Sequence, residues 1–141
     1  MVRILIVDDE ESLRNLYSEF LSSNGHEVAA VEDGAKGVEL YRSLLSLDCL
    51  PDLILSDVTM PNLSGIEMLA QIEKLRTEAG LSATPFKVIV ATGGYSDTLG
   101  QIPKNYATIA KPFRPIELVT LVETVLKGAV KETVEPSRIY N

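Results

Sequence analysis

Five short apolar runs, none alternating polar with apolar residues, constrain the fold of this chain more than any other feature. They are Ile4-Leu5-Ile6-Val7, Val28-Ala29-Ala30-Val31, Leu53-Ile54-Leu55, Val88-Ile89-Val90-Ala91 and Ala107-Thr108-Ile109-Ala110. A strand with one wet face alternates; an unbroken apolar run is expected where both faces are covered, as in a parallel sheet. Between the runs the apolar period becomes helical. Leu13, Leu16, Tyr17, Phe20 and Leu21 share one face, with Gly25 as a stop after Asn24. Val38, Tyr41, Leu44 and Leu45 form a second face, and Ile66, Leu69, Ile72 and Leu75 a third, followed by Gly80. The last is Leu118, Leu121, Val122 and Val125, opened by Pro115 in the first turn, where a missing N–H is tolerated. Strands alternating with helices predict an α/β fold with right-handed crossovers and helices on both sheet faces.

One link departs from this rhythm. Gly93, Gly94, Gly100 and Pro103 interrupt the stretch before Ala107, so a fourth helix there is expected to be short or irregular. Residues around Ala79 to Phe86 read as a loop extension at the amino-terminal edge of the sheet. The chain divides into one domain over 1–127 and a C-terminal tail or linker stub over 128–141, charged, with Pro136 and no core face.

A chain of 141 residues can bury a core without staples, and its single cysteine, Cys49, has no intramolecular partner. Cys49 reads as a small packing residue in a reducing compartment, and His26 stands apart from every candidate motif. No run approaches the roughly 18 apolar residues of a membrane span, and the start of the chain lacks the pattern of a signal peptide. A cytoplasmic location without membrane association is expected. The net charge of −7 opposes nucleic-acid phosphates, so direct nucleic-acid binding is not expected.

Ligands of an open parallel sheet gather at the carboxyl ends of its strands. Asp8-Asp9 follows the first run, Asp57 the third, Thr92 the fourth and Lys111 the fifth. Each alone has a plain structural reading: Asp8, Asp9 or Thr92 as helix caps, Asp57 as a turn residue before Pro61, Lys111 as an exposed charge. Four strand ends carrying these types together fit that reading poorly. Adjacent carboxylates repel unless a cation lies among them; Lys111 supplies one charge and a divalent ion the other. Hard oxygen donors without thiolate or imidazole suit Mg²⁺. An aspartate nucleophile in such a cluster could form an acyl phosphate, with Lys111 stabilising charge on the transferring oxygens.

The ordered segments Ile6-Val7-Asp8-Asp9-Glu10, Leu55-Ser56-Asp57-Val58-Thr59-Met60-Pro61, Ser64-Gly65, Thr92-Gly93 and Lys111-Pro112-Phe113 resemble those of response-regulator receiver domains of two-component systems. The resemblance runs from Arg3 to about Lys127. It implies a five-stranded parallel sheet in the flavodoxin-like order 2-1-3-4-5. It also implies that Asp57 is the phospho-acceptor, that Asp9 binds Mg²⁺ directly, that Asp8 acts mostly through a metal-bound water, and that the Thr59 backbone carbonyl completes the protein's share. Lys111 would pair with Asp57 before transfer and with a phosphoryl oxygen after it; the Thr92 hydroxyl and Gly93 amide would bind the phosphoryl group. A cis Lys111-Pro112 bond is implied as well.

The implied role is a phosphoprotein of two-component or phosphorelay signal transduction that catalyses only its own phosphorylation and dephosphorylation. Its donor would be a sensor histidine kinase or a phosphotransfer protein, and its output would run through protein contacts with a downstream target, as a monomer or weak dimer. A stand-alone receiver is one reading of the chain's extent, and a piece of a larger regulator or hybrid kinase the other. Thr108 departs from the family, which usually carries Tyr or Phe there as a switch side chain. Tyr106, on the same side of the strand, is a candidate substitute, with loop packing as the alternative. Two other functions stay open at this level: a Mg²⁺-dependent phosphatase with an Asp nucleophile, and a binding module independent of phosphorylation. A haloacid-dehalogenase-like phosphatase would want a second Asp at the position of Thr59.

Overall fold

In the computed structural model, which describes residues 2–60, 62–84, 86–93, 102–128 and 133–134, all five apolar runs are strands. The elements are β1 (Arg3–Val7), α1 (Glu11–Ser23), β2 (Glu27–Val31), α2 (Gly34–Ser46), β3 (Leu53–Asp57), α3 (Gly65–Glu78), β4 (Lys87–Thr92), β5 (Ala107–Ala110), α4 (Pro115–Leu126) and β6 (Thr133–Val134). The parallel strands stand in the order β2-β1-β3-β4-β5-β6. This is the expected order 2-1-3-4-5 with a sixth, two-residue strand added beside β5, within the stretch expected to be a tail. The irregular helix expected between Gly93 and Asn105 falls largely on residues 94–101, outside the described residues.

The period of two in the strands divides the core into two layers. Ile4, Ile6, Leu53, Leu55, Ile89 and Ile109 face Tyr17 and Leu21 of α1 and Leu118, Leu121 and Val122 of α4. Leu5, Val7, Ile54, Val88 and Val90 face Val38 and Tyr41 of α2 and Met68, Leu69 and Ile72 of α3. Unbroken apolar runs are therefore correct for β1, β3, β4 and β5. They mislead for β2, an edge strand whose Ala29 and Ala30 are exposed. On α1, Leu16 and Phe20 also differ from expectation: both are exposed, because only Tyr17 and Leu21 of that face point fully inward.

The helix ends follow local chemistry. α1 stops at Asn24 and Gly25, the latter at φ +89°, where a side chain would be strained. Ser64 and Glu67 form a reciprocal capping box that starts α3. Arg76 anchors the described part of the loop around Ala79 to Phe86. The buried Arg76 guanidinium donates to Tyr41 Oη at 3.0 Å, Leu81 O at 3.2 Å and Thr84 O at 2.7 Å. It also lies 4.6 Å over the Phe86 ring, so one cation ties α2, α3 and the loop entering β4.

Candidate functional site

Strand register decides which side chains meet. Val7 pairs with Ser56, Asp57 with Ala91, and Thr92 with Ala110, so the carboxyl ends of β1, β3, β4 and β5 lie level. Each strand then delivers its next polar residue to one rim.

Asp8 is 3 % exposed and fixed by three contacts. Its N–H donates to Val31 O at 3.2 Å, its Oδ1 accepts from the Glu10 N–H at 2.9 Å, and its carbonyl accepts from Arg14 Nη1 at 2.8 Å. Asp57 is 9 % exposed, whereas Asp9 faces solvent. Carboxylate oxygens of Asp8, Asp9 and Asp57 all lie within 4.8 Å of one another. Lys111 Nζ donates to Asp57 Oδ2 at 3.0 Å and, more weakly, to Asp8 Oδ2 at 3.4 Å.

The electrostatics follow. Burial pushes the Asp57 carboxyl above its ordinary range, and Asp8 and Asp9 add to the effect, while Lys111 opposes it through its hydrogen bond and charge. Burial by itself would lower the Lys111 ammonium, but Asp57 and then Asp8 outweigh it and the group is raised. Beneath the cluster, burial raises the Tyr17 phenol, with Asp8, Asp57 and Glu10 acting in the same direction. The Tyr17 ring stacks on Phe113 at 5.3 Å, just beyond the cis Lys111-Pro112 bond. Three carboxylates against one ammonium leave an all-oxygen site short of positive charge. That donor set fits a hard divalent cation such as Mg²⁺.

Thr92, 2 % exposed, ends β4, and its carbonyl accepts from the Lys111 N–H at 2.7 Å, coupling the tips of β4 and β5. Gly93 follows it in open space, with nothing within 4 Å of an added Cβ. Thr59 lies two residues past Asp57 and is exposed. The structure thus gathers Asp8, Asp9, Asp57 and Lys111 into direct proximity and places Thr92, Gly93 and Thr59 on the adjoining strand ends and loop.

Sequence reasoning assigned no part to several residues that build this rim. The Val58 N–H donates to Ala91 O at 3.0 Å, and the Gly65 N–H donates to Val58 O at 2.8 Å. Ser56 Oγ donates to Asp57 O at 2.9 Å. A Cβ at Gly65 would come within 2.0 Å of that same carbonyl, which is why glycine stands there. The Ser64-Gly65 pair was the signal available for this contact; Arg14 and Tyr17 carried none. Tyr106 is buried in the α2–α3 layer. Its phenol is raised by burial first and then by the Glu73 carboxylate.

Comparison with known proteins identifies the family. The family model described as "Response regulator receiver domain" matches residues 4–123. Protein PilH of Pseudomonas aeruginosa is 31 % identical over 128 residues, covering 89 % of this chain and 95 % of that protein. Chemotaxis protein CheY of Thermotoga maritima is 32 % identical over 129 residues, covering 89 % and 98 %. Among solved structures, response regulator TrrA of Thermotoga maritima, in complex with Mg²⁺-BeF, superposes with a TM-score of 0.67 at 28 % identity, covering 89 % of this chain and 99 % of that one. The chain belongs to the response-regulator receiver family of two-component signalling.

Proposed function

We propose that Asp57 accepts a phosphoryl group from a phosphohistidine on a sensor kinase or phosphotransfer protein. The observation that carries this reading is a nearly buried carboxylate held by Lys111 at 3.0 Å and flanked by two more carboxylates. An Asp57 oxygen attacks phosphorus, the P–N bond to the donor imidazole breaks, and an acyl phosphate forms as the imidazole leaves with a proton. Lys111 passes from the Asp57 oxygen to a phosphoryl oxygen. The Thr92 hydroxyl and the Gly93 N–H donate to the others, and the open space at Gly93 leaves room for the group. Water later hydrolyses the acyl phosphate, regenerating the Asp57 carboxylate and releasing inorganic phosphate, so the chain catalyses only its own phosphorylation and dephosphorylation.

Asp8, Asp9, Asp57 and the Thr59 carbonyl are the residues that would hold Mg²⁺. When bound, Mg²⁺ supplies neutralising charge for the carboxylates and the phosphoryl oxygens. The Mg²⁺-BeF complex of the related TrrA supports this assignment. Thr59, where an acidic residue would serve a phosphatase, favours a signalling module over an enzyme with separate substrates. Output through protein contacts, as a monomer or weak dimer in the cytoplasm, is consistent with an acidic chain. No helix among the described residues is long and apolar enough to cross a membrane. Incubation with acetyl phosphate and Mg²⁺ tests the proposal by intact mass. One added phosphoryl group is expected, and none with EDTA; an unchanged mass with Mg²⁺ present would refute it.

A further inference from the structure

The sheet does not end at β5. Thr133–Val134 runs parallel beside it, with Thr108 opposite Thr133 and Ile109 opposite Val134. Among the described residues, β6 is the strand that pairs with the outer side of β5. β5 is also the strand closest in sequence to the site's cation. Two residues past Ile109 comes Lys111, whose side chain reaches Asp57 and Asp8 and whose N–H donates to Thr92 O. A two-residue ladder is short enough to open and close readily. Thr108, which stands where a switch aromatic was expected, is one of the two residues that β6 pairs with.

We propose that Thr133–Val134 is a reversible clasp on the outer edge of β5, coupled to the phosphorylation state of Asp57; this rests on the phospho-acceptor reading above. Closed, the clasp fixes the backbone of Thr108 and Ile109 in the register that places Lys111 on Asp57 and Asp8. A phosphoryl group that draws Lys111 and Thr92 toward itself shifts the joined tips of β4 and β5. The two-residue ladder of Thr108 and Ile109 with Thr133 and Val134 then opens. The signal leaves through a strand edge here rather than through an aromatic rotamer at position 108. Coupling of this kind is reciprocal, so opening the clasp favours the phosphorylated form.

The test compares the full-length chain with its Thr133→Pro/Val134→Pro variant, whose prolines cannot donate to the ladder. Two readouts are taken: hydrogen exchange of the β5 amides that face β6, and the phosphorylated fraction at a fixed acetyl phosphate and Mg²⁺ concentration. Those amides are expected to exchange roughly tenfold faster in the variant, and faster in the wild type once it is phosphorylated. The variant's phosphorylated-to-free ratio is expected to rise about threefold. Unchanged exchange in the variant would overturn the clasp, and faster exchange with an unchanged ratio would overturn the coupling. A wild-type chain that gains no mass would refute the phospho-acceptor reading, and the coupling with it, whatever the exchange shows.

Discussion

Lys111 donates to Asp57 Oδ2 across 3.0 Å although 54 residues separate them, because the register of β3, β4 and β5 brings their strand ends level. Lys111→Ala removes the ammonium that pairs with Asp57, the proposed phospho-acceptor. The rate of phosphorylation by acetyl phosphate is expected to fall about 10²-fold, the usual effect of deleting one positioned donor at a developing charge. Time-resolved intact mass measures it, and a rate within a factor of about two of wild type would remove Lys111 from the chemistry.

Asp57 and its neighbours set a pH dependence that can be read without metal. Its folded pKa lies above the ordinary value of 3.8, chiefly through burial, so the folded state binds the proton more tightly than the unfolded state. Stability therefore falls as pH rises from about 3.8 through the higher folded value, and the deficit persists at neutral pH. In EDTA, Asp57→Asn is expected to raise the unfolding midpoint at pH 7 and to flatten that arm of the stability curve. A lower midpoint for Asp57→Asn would contradict this account of the cluster.

Lys111 acts in the opposite sense at alkaline pH. Its folded pKa lies above 10.5: burial lowers it, but the attraction of Asp57 and Asp8 prevails. The stability it contributes is fully present below 10.5 and is lost as pH rises through the folded value. Denaturant titrations at alkaline pH should show this loss in the wild type and its absence in Lys111→Ala.

Metal addition relieves the same repulsion. Mg²⁺ at about 100 times its dissociation constant is expected to stabilise the fold by about 2.7 kcal/mol, reversibly with EDTA. Thermal unfolding measures it. The gain should shrink sharply in Asp9→Asn and persist in Arg76→Met, a substitution at the other end of the sheet.

Arg76→Met separates architecture from chemistry. It removes the donor to Tyr41, Leu81 and Thr84 and is expected to cost about 2 kcal/mol of stability. Phosphorylation should continue at the wild-type rate under conditions where the variant is folded. Gly65→Ala should fail in both respects. Its Cβ would meet Asp57 O at 2.0 Å, costing about 1–3 kcal/mol and displacing Asp57.

The strands and the rim were legible in the sequence because each rests on a local rule. Apolar runs such as Ile4-Leu5-Ile6-Val7 declare a strand covered on both faces, and polar residues just past such runs fall at one edge of a parallel sheet. What was illegible depended on distant partners. Ala29 and Ala30 are exposed because β2 has a neighbour on one side only, a property of sheet order rather than of the run itself. Leu16 and Phe20 share a helical stripe with Tyr17 and Leu21, but only the latter pair is buried against the sheet. Arg76 reads as one more charge on an amphipathic helix until Tyr41 and Phe86, from two other parts of the chain, close around it. β6 has no sequence signature at all. Two residues cannot establish a period, and their pairing with Thr108 and Ile109 is visible only in the fold.

The central claim is that the phosphoryl group resides on Asp57. After reaction with acetyl phosphate and Mg²⁺, reductive trapping of the acyl phosphate followed by peptide sequencing by mass spectrometry locates the modified residue directly. A single modified position, Asp57, is expected, with no trapped product in Asp57→Asn. Modification at Asp8 or Asp9 in the wild type, or an undiminished yield in Asp57→Asn, would contradict the claim.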